Sequence, residues 1–321
     1  MSSIDPGTAA PYDVVIIGAG PGGTSAAIYA ARSNLRTLMV DKVHLGGQMV
    51  ITDKIANYPG YPDTISGRDL LQTMRLQAER HGAEFVVSEV LGLELTGELK
   101  SVFSYHGVYE ARTLIIATGA GERKSKIAGE AEFLGRGVSY CATCDGPFFK
   151  GEEVAVVGES SEAVEEALYL TKFAARVHLL APRDSLRVPE HLRQEVAGQE
   201  NLIVHTSTRV QQVLGDSTVT GVECVNRDGS AHVLPVLGAF LYLLGAQPAI
   251  SFLQGALEVD EKGFIRVDET MMTSVPGVYA VGDVRKGPLK QVVTAAADGA
   301  MAAMAAERYI RGRAGIIRSP R

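Results

Sequence analysis

Apolar residues along the chain fall into short β-branched runs, each followed by a segment of helical spacing. The run from Val14 to Ile17 is unbroken by polar side chains, which predicts a strand buried on both faces of a parallel sheet. Thr24 to Ser33 then has helix-like apolar spacing, and Thr37 to Val40 reads as a second strand ending in Asp41. The same design returns between Glu153 and Leu180, where VAVVGESSEAVEEALYL passes from a strand through a turn into a helix-forming stretch. A strand-rich stretch follows, and then PGVYAVGDVRKGPLKQVVTAAADGAMAAMAAERYI. This order predicts an α/β protein of two nested Rossmann-like nucleotide-binding domains. A first domain is interrupted by a smaller second one, and the chain returns to complete the first. Gly and Pro punctuate the pattern near Gly121 and from Ala246 to Pro248. The expected division is therefore 1–121 and 247–321 for the first domain and 122–246 for the second.

Composition narrows the class. With 321 residues, 46% of them hydrophobic and 21% charged, the chain is long enough for two ordinary cores and is not a disordered one. Its longest apolar runs, Val14 to Ile17 and Ala239 to Leu244, fall far short of a membrane span, and the first residues show no secretory pattern. These features predict a cytoplasmic protein. The net charge of −6 gives no general attraction to nucleic acid. Three cysteines do not make a disulfide scaffold, so a close pair points to redox catalysis or metal binding.

Two turns and one cysteine pair carry the candidate chemistry. In the first turn Gly18, Gly20 and Gly23 fill the G-x-G-x-x-G places between strand and helix, a cradle for a dinucleotide pyrophosphate. Asp41 stands where an acid can accept the hydroxyls of an adenosine ribose. In the second turn the same places read Gly158, Ser160 and Ala163, and Glu159 and Glu162 put carboxylates where a pyrophosphate would lie. Between the two units is YCATCDGPFFKG. Its C-x-x-C could be half of a zinc site, but only Cys224 remains elsewhere and four ligands are needed. Asp145 is placed either to move a proton at the leaving thiol or to cap the segment that follows. Cys224 alternates with apolar neighbours and reads as inert core. His178 and His205 lie in strand-like runs with no partner motif nearby and read as structural.

The order of G-x-G-x-x-G, Gly46-Gly47-Gln48, Asn57-Tyr58-Pro59-Gly60, Ala117-Thr118-Gly119, Cys141-Ala142-Thr143-Cys144-Asp145, Gly282-Asp283 and Lys290-Gln291 closely resembles the low-molecular-weight thioredoxin reductases, from about Tyr12 to Tyr309. The resemblance implies FAD in the first domain, a redox dithiol on the second, thioredoxin as partner and a homodimer. Carried over by position, the FAD contacts would be Gly18, Gly20, Pro21, Gly22, Gly23 and Asp41 in the first cradle. Gly47, Gln48, Asn57 and Gly119 would follow, then Gly282, Asp283, Lys290, Gln291 and Val292. The resemblance makes Cys144 the flavin-proximal thiol and Cys141 the thiol that attacks the partner disulfide, with Asp145 beside them in either of its two readings.

The second cradle departs from that pattern. The family has a glycine-rich turn there and, after the next strand, a His-Arg-Arg run for the NADPH ribose phosphate. This chain has Ser160, Glu159 and Ala181-Pro182-Arg183. Three departures at one site argue against tight NADPH binding. The resemblance is accordingly closer to the ferredoxin-dependent flavin thioredoxin reductases, with reduced ferredoxin as donor. Arg308, Arg311, Arg313, Arg318 and Arg321, with no acid among them, form a basic tail that could steer an acidic ferredoxin. The remaining readings are a weak NADPH site, a second flavin in the altered cradle, and a flavin-bound redox sensor that does not turn over.

Overall fold

The computed structural model describes residues 10–45, 47–52, 54–122, 127–243 and 246–312. They form two compact units, Met1–Gly121 with Gln247–Arg321, and Glu122–Ala246.

The first unit opens with β1 (Tyr12–Ile17), α1 (Pro21–Arg32) and β2 (Thr37–Asp41). The helix starts at Pro21, ahead of the expected Thr24, because proline at the first helical position is preset for the helix and has no amide to leave unpaired. Then come α2 (Gly67–Arg80), β3 (Glu84–Val87), β4 (Val90–Glu94), β5 (Lys100–Ser104), β6 (Gly107–Ile116) and β7 (Ala120–Glu122). Ser66 caps α2 by accepting the Asp69 N–H at 3.1 Å. The sheet order is β3-β2-β1-β6-β5-β4. The second half of β6 lies parallel to β1, while its first half pairs antiparallel with β5, so one long strand joins a buried parallel sheet to a hairpin. Val14, Val15 and Ile16 are fully buried, as a two-sided strand requires.

The second unit contains α3 (Glu130–Phe133), β8 (Val138–Ser139), α4 (Ala142–Asp145), β9 (Glu153–Val157), α5 (Ser161–Leu170), β10 (Arg176–Leu180), α6 (Glu190–Ala197) and β11 (Leu202–His205). A meander of β12 (Thr208–Gly215), β13 (Val219–Asn226) and β14 (Ala231–Leu234) follows, then β15 (Gly238–Leu241). Its parallel sheet runs β11-β10-β9-β15-β8. The chain crosses back through β16 (Ala246–Pro248), which pairs with β7, and ends in β17 (Val278–Ala280) and α7 (Val292–Ile310). β17 adds to β6 in the first sheet. Helices α1 and α7 pack closely through small residues. A side chain at Gly299 would overlap the Gly22 carbonyl, so the crossing admits no larger residue. Among the described residues no helix is long and apolar enough to cross a membrane.

Candidate functional site

The first cradle lies between β1 and α1. Gly18 has φ +101°, and a Cβ there or at Gly23 would collide with backbone, at the Ala117 and Gly18 carbonyls respectively. Gly20 differs: nothing lies within 4 Å of where its Cβ would stand, so its glycine keeps open the space before the helix N-terminus. Pro21 begins α1, and Gly22 and Gly23 are buried in its first turn. Asp41, at the end of β2, accepts the Ala19 N–H at 2.7 Å and ties the glycine turn to the second strand.

Other expected residues line the same unit. Gly47 takes φ +86° and leads a 3-10 turn that begins at Gln48, and Gly119 takes φ +72° in open space. Thr118 Oγ1 is buried without a hydrogen-bond partner, an orphan that a bound polar ligand would satisfy. Asn57 Nδ2 donates to Gln291 Oε1 at 3.1 Å. Gly282, at φ +70°, donates its N–H to Asp298, and Arg285 grips Asp298 through Nε at 2.6 Å and Nη2 at 2.7 Å. Burial raises the Asp283 carboxyl pKa, with Lys290 drawing it back and Asp298 adding to the rise. Lys290 stacks on Phe264 and donates to the Asp283 carbonyl at 2.6 Å. Val292 opens α7 directly after Gln291. The open space at Gly20, the orphan hydroxyl and the strand-end acid together fit a dinucleotide. Gly46 lies outside the described residues.

In the second unit Cys141 and Cys144 form a disulfide, their Cα atoms 5.3 Å apart across the short helix α4. The Cys144 N–H donates to Cys141 Sγ at 3.2 Å, and Thr143 Oγ1 lies 3.3 Å from the same sulfur. Both contacts favour negative charge on Cys141. Burial raises the Asp145 carboxyl pKa, which a Ser139 hydrogen bond partly offsets. Its alternative reading as a cap fails, since Asp145 makes no capping hydrogen bond to the 3-10 turn Gly146–Phe149. Sequence reasoning missed Glu166 and Tyr242, both of which bond the Ala142 amide. A contact to backbone leaves no side-chain motif to find.

The second cradle keeps its backbone turn but carries different side chains. Gly158 has φ +154° and packs against Ala163 and Tyr242. Ser160 caps α5 by accepting the Ala163 N–H at 3.2 Å. Glu159 binds Arg183 twice: Oε1 pairs with Nη1 at 2.6 Å and Oε2 accepts the Arg183 N–H at 3.1 Å. Arg183, which stands in the family's ribose-phosphate run, is thus already paired with a carboxylate.

His178 and His205 do have partners: His178 Nδ1 lies 3.0 Å from His205 Nε2, and its Nε2 lies 3.0 Å from Glu153 Oε2. The parallel register of β9, β10 and β11 brings these three side chains together across adjacent strands. Of the basic tail, Arg311 pairs with Glu307 at 2.7 Å, one turn earlier on α7. Arg313, Arg318 and Arg321 lie outside the described residues. Cys224 is fully buried, and burial pushes its thiol up to about 11, consistent with an inert core residue.

Residues 12–299 match the model of the pyridine nucleotide-disulphide oxidoreductase family. The chain is 42% identical over 308 residues to a thioredoxin reductase of Aquifex aeolicus, covering 95% of each. A crystal structure of thioredoxin reductase from Streptococcus pyogenes superposes with a TM-score of 0.91 at 40% identity, covering 94% of this chain and 99% of that one. The NADPH-dependent thioredoxin reductase 3 of Arabidopsis thaliana is 42% identical over 93% of this chain and 58% of its own length.

Proposed function

The chain belongs to the low-molecular-weight thioredoxin reductases of the pyridine nucleotide-disulphide oxidoreductase family, and we propose that it draws its electrons from reduced ferredoxin rather than from NADPH. The activity is that of a flavin-dependent thioredoxin reductase with a redox-active cysteine pair. When bound, FAD can accept electrons singly and pass a pair to a disulfide. The cradle residues from Gly18 to Gly23, with Asp41, would hold its pyrophosphate and adenosine ribose.

The chain's own residues carry the exchange. In the reduced pair Cys141, favoured as thiolate by the Cys144 N–H and Thr143, attacks one sulfur of the partner disulfide, whose other sulfur leaves. Cys144 then attacks Cys141 Sγ, re-forming the internal disulfide and releasing the second partner thiol. Asp145, protonated to higher pH than an exposed aspartate, can hold and return the proton of Cys144. Two electrons and two protons reach the partner, which the relatives' names identify as thioredoxin.

The observation that carries the donor assignment is the Glu159–Arg183 pair. A 2′-phosphate would have to displace a carboxylate from Arg183, and Glu159 would repel the pyrophosphate as well. A one-electron carrier needs no such cradle. The second reading, NADPH at low affinity, is favoured by the name of the Arabidopsis relative. A homodimer is part of the proposal, supported by Tyr29, Leu76 and Met301, large apolar side chains left exposed on α1, α2 and α7.

The test is anaerobic. Oxidised protein is mixed with millimolar NADPH or with reduced ferredoxin, and the flavin absorbance is followed. Rapid bleaching by ferredoxin with none by NADPH over minutes is expected. Fast reduction by NADPH would overturn the assignment.

A further inference from the structure

The Ala142 amide, between the two cysteines and next to Cys141, is held from two sides. It donates to Glu166 Oε2 at 3.0 Å and to Tyr242 Oη at 2.9 Å, and the Tyr242 hydroxyl in turn donates to Glu166 Oε2 at 3.1 Å. Glu166 comes from α5, the helix of the second cradle, and Tyr242 follows β15. Neither nucleotide binding nor thiol exchange, as derived above, calls for a carboxyl at this place. Burial raises its pKa, and the charges of Glu162 and Glu165 add to the rise, while its hydrogen bonds from Tyr242 and Ala142 favour the carboxylate. Among the described residues, ionisable groups beside the turn include Asp145 at the end of α4 and the Tyr140–Glu130 pair, hydrogen-bonded at 2.7 Å, just before Cys141.

We infer that Glu166 is a positioning residue for the dithiol: its carboxylate clamps the Ala142 amide and, one residue from Cys141, opposes negative charge on that sulfur. The Cys144 N–H and Thr143 pull the opposite way. A thiol drawn too low is more ionised but a weaker nucleophile, and the best attacking thiol has its pKa near the ambient pH. Glu166 sets that balance from the middle of α5. The inference rests on the reading of Cys141 as the attacking thiol, but not on the donor.

The test uses the full-length flavin-loaded protein in a Cys144→Ser background. The rate of Cys141 alkylation by iodoacetamide is followed against pH, and buried Cys224 stays unreactive in this range. Adding Glu166→Gln, which keeps an acceptor and removes the charge, should lower the midpoint by roughly one pH unit, the size of one partly screened charge at close range. Glu165→Gln, on the exposed face of the same helix, should move it far less. An unmoved or raised midpoint in Glu166→Gln, or an equal shift in Glu165→Gln, would overturn the inference. Should Glu166→Gln fail to fold, Glu166→Met, which keeps the side-chain length and removes the charge, should lower the midpoint likewise; no fall sinks the idea. The profile is read on the thiol itself, whichever thiol attacks. Trapping of a mixed disulfide, which tests that separate reading, is a different measurement.

Discussion

Glu159 and Arg183 meet at 2.6 Å in the turn where a pyridine nucleotide would place its phosphates. The carboxylate also takes the Arg183 backbone amide, so the arginine is fixed by main chain and side chain together. Undoing this arrangement should restore a site. In a Glu159→Gly, Ser160→Gly, Pro182→Arg variant, NADPH should bind at least tenfold more tightly than to the parent, about 1.4 kcal/mol. Titration calorimetry on both proteins checks this, and equal affinities would refute it.

Two glycines of the first cradle should fail for different reasons. Gly20→Glu fills open space and should leave a folded, colourless protein, since its carboxylate occupies the pyrophosphate position. Gly23→Ala drives a methyl into the Gly18 carbonyl and should cost about 2–4 kcal/mol of stability. Flavin absorbance per chain and a urea melt separate the two.

The assigned thiol roles predict an asymmetric trap. Cys144→Ser should accumulate a mixed disulfide between Cys141 and thioredoxin, while Cys141→Ser should accumulate none. Asp145→Asn should slow turnover by roughly a hundredfold, at the low end for a lost general acid. A gel without reductant and steady-state rates report both.

Much of the fold was legible because its signals are local. An unbroken Val14 to Ile17 run, a glycine turn and the acid closing Thr37 to Asp41 are patterns within thirty or so residues, and β1, α1 and β2 stand there. The start of α1 was missed because Pro-Gly-Gly reads as a turn until proline's first-turn preference is weighed. The charges of the second cradle were visible, but their pairing depends on β9 and β10 lying parallel, which sets Glu159 beside Arg183 across twenty-odd residues. The same cause hid the His178–His205 contact. The partner of Arg311, Glu307, lies one turn earlier on α7, outside the acid-free run from Arg308 to Arg321.

Asp298 should matter to the flavin although it is not expected to touch it. Asp298→Asn weakens its bidentate grip on Arg285 and the hold on Gly282, in a place only 5% exposed. Breaking a buried pair of this kind costs about 3–5 kcal/mol. The amide keeps part of the hydrogen bonding, so a loss near the low end is expected, with faster FAD release in a stopped-flow chase.

The histidine contact should give stability a pH dependence. Desolvation lowers the pKa of His205, and the nearby His178 and His232 lower it further. A base whose folded pKa lies below its unfolded value binds protons more readily when unfolded, so stability falls as pH drops through the unfolded value of about 6.5. His205→Gln should flatten the difference in melting temperature between pH 7 and pH 5. An unchanged slope would show that the pair carries no such linkage.

The pairing of β7 with β16 sets the departure and return of the chain about 4.8 Å apart, one strand spacing. For the flavin-binding host, the inserted guest is then equivalent to a short loop, and folding or unfolding the guest changes little in the closure entropy the host must meet. Each body should therefore melt in its own calorimetric transition. Added FAD would move one peak upward by mass action and leave the other where it was, which identifies the host without any mutation.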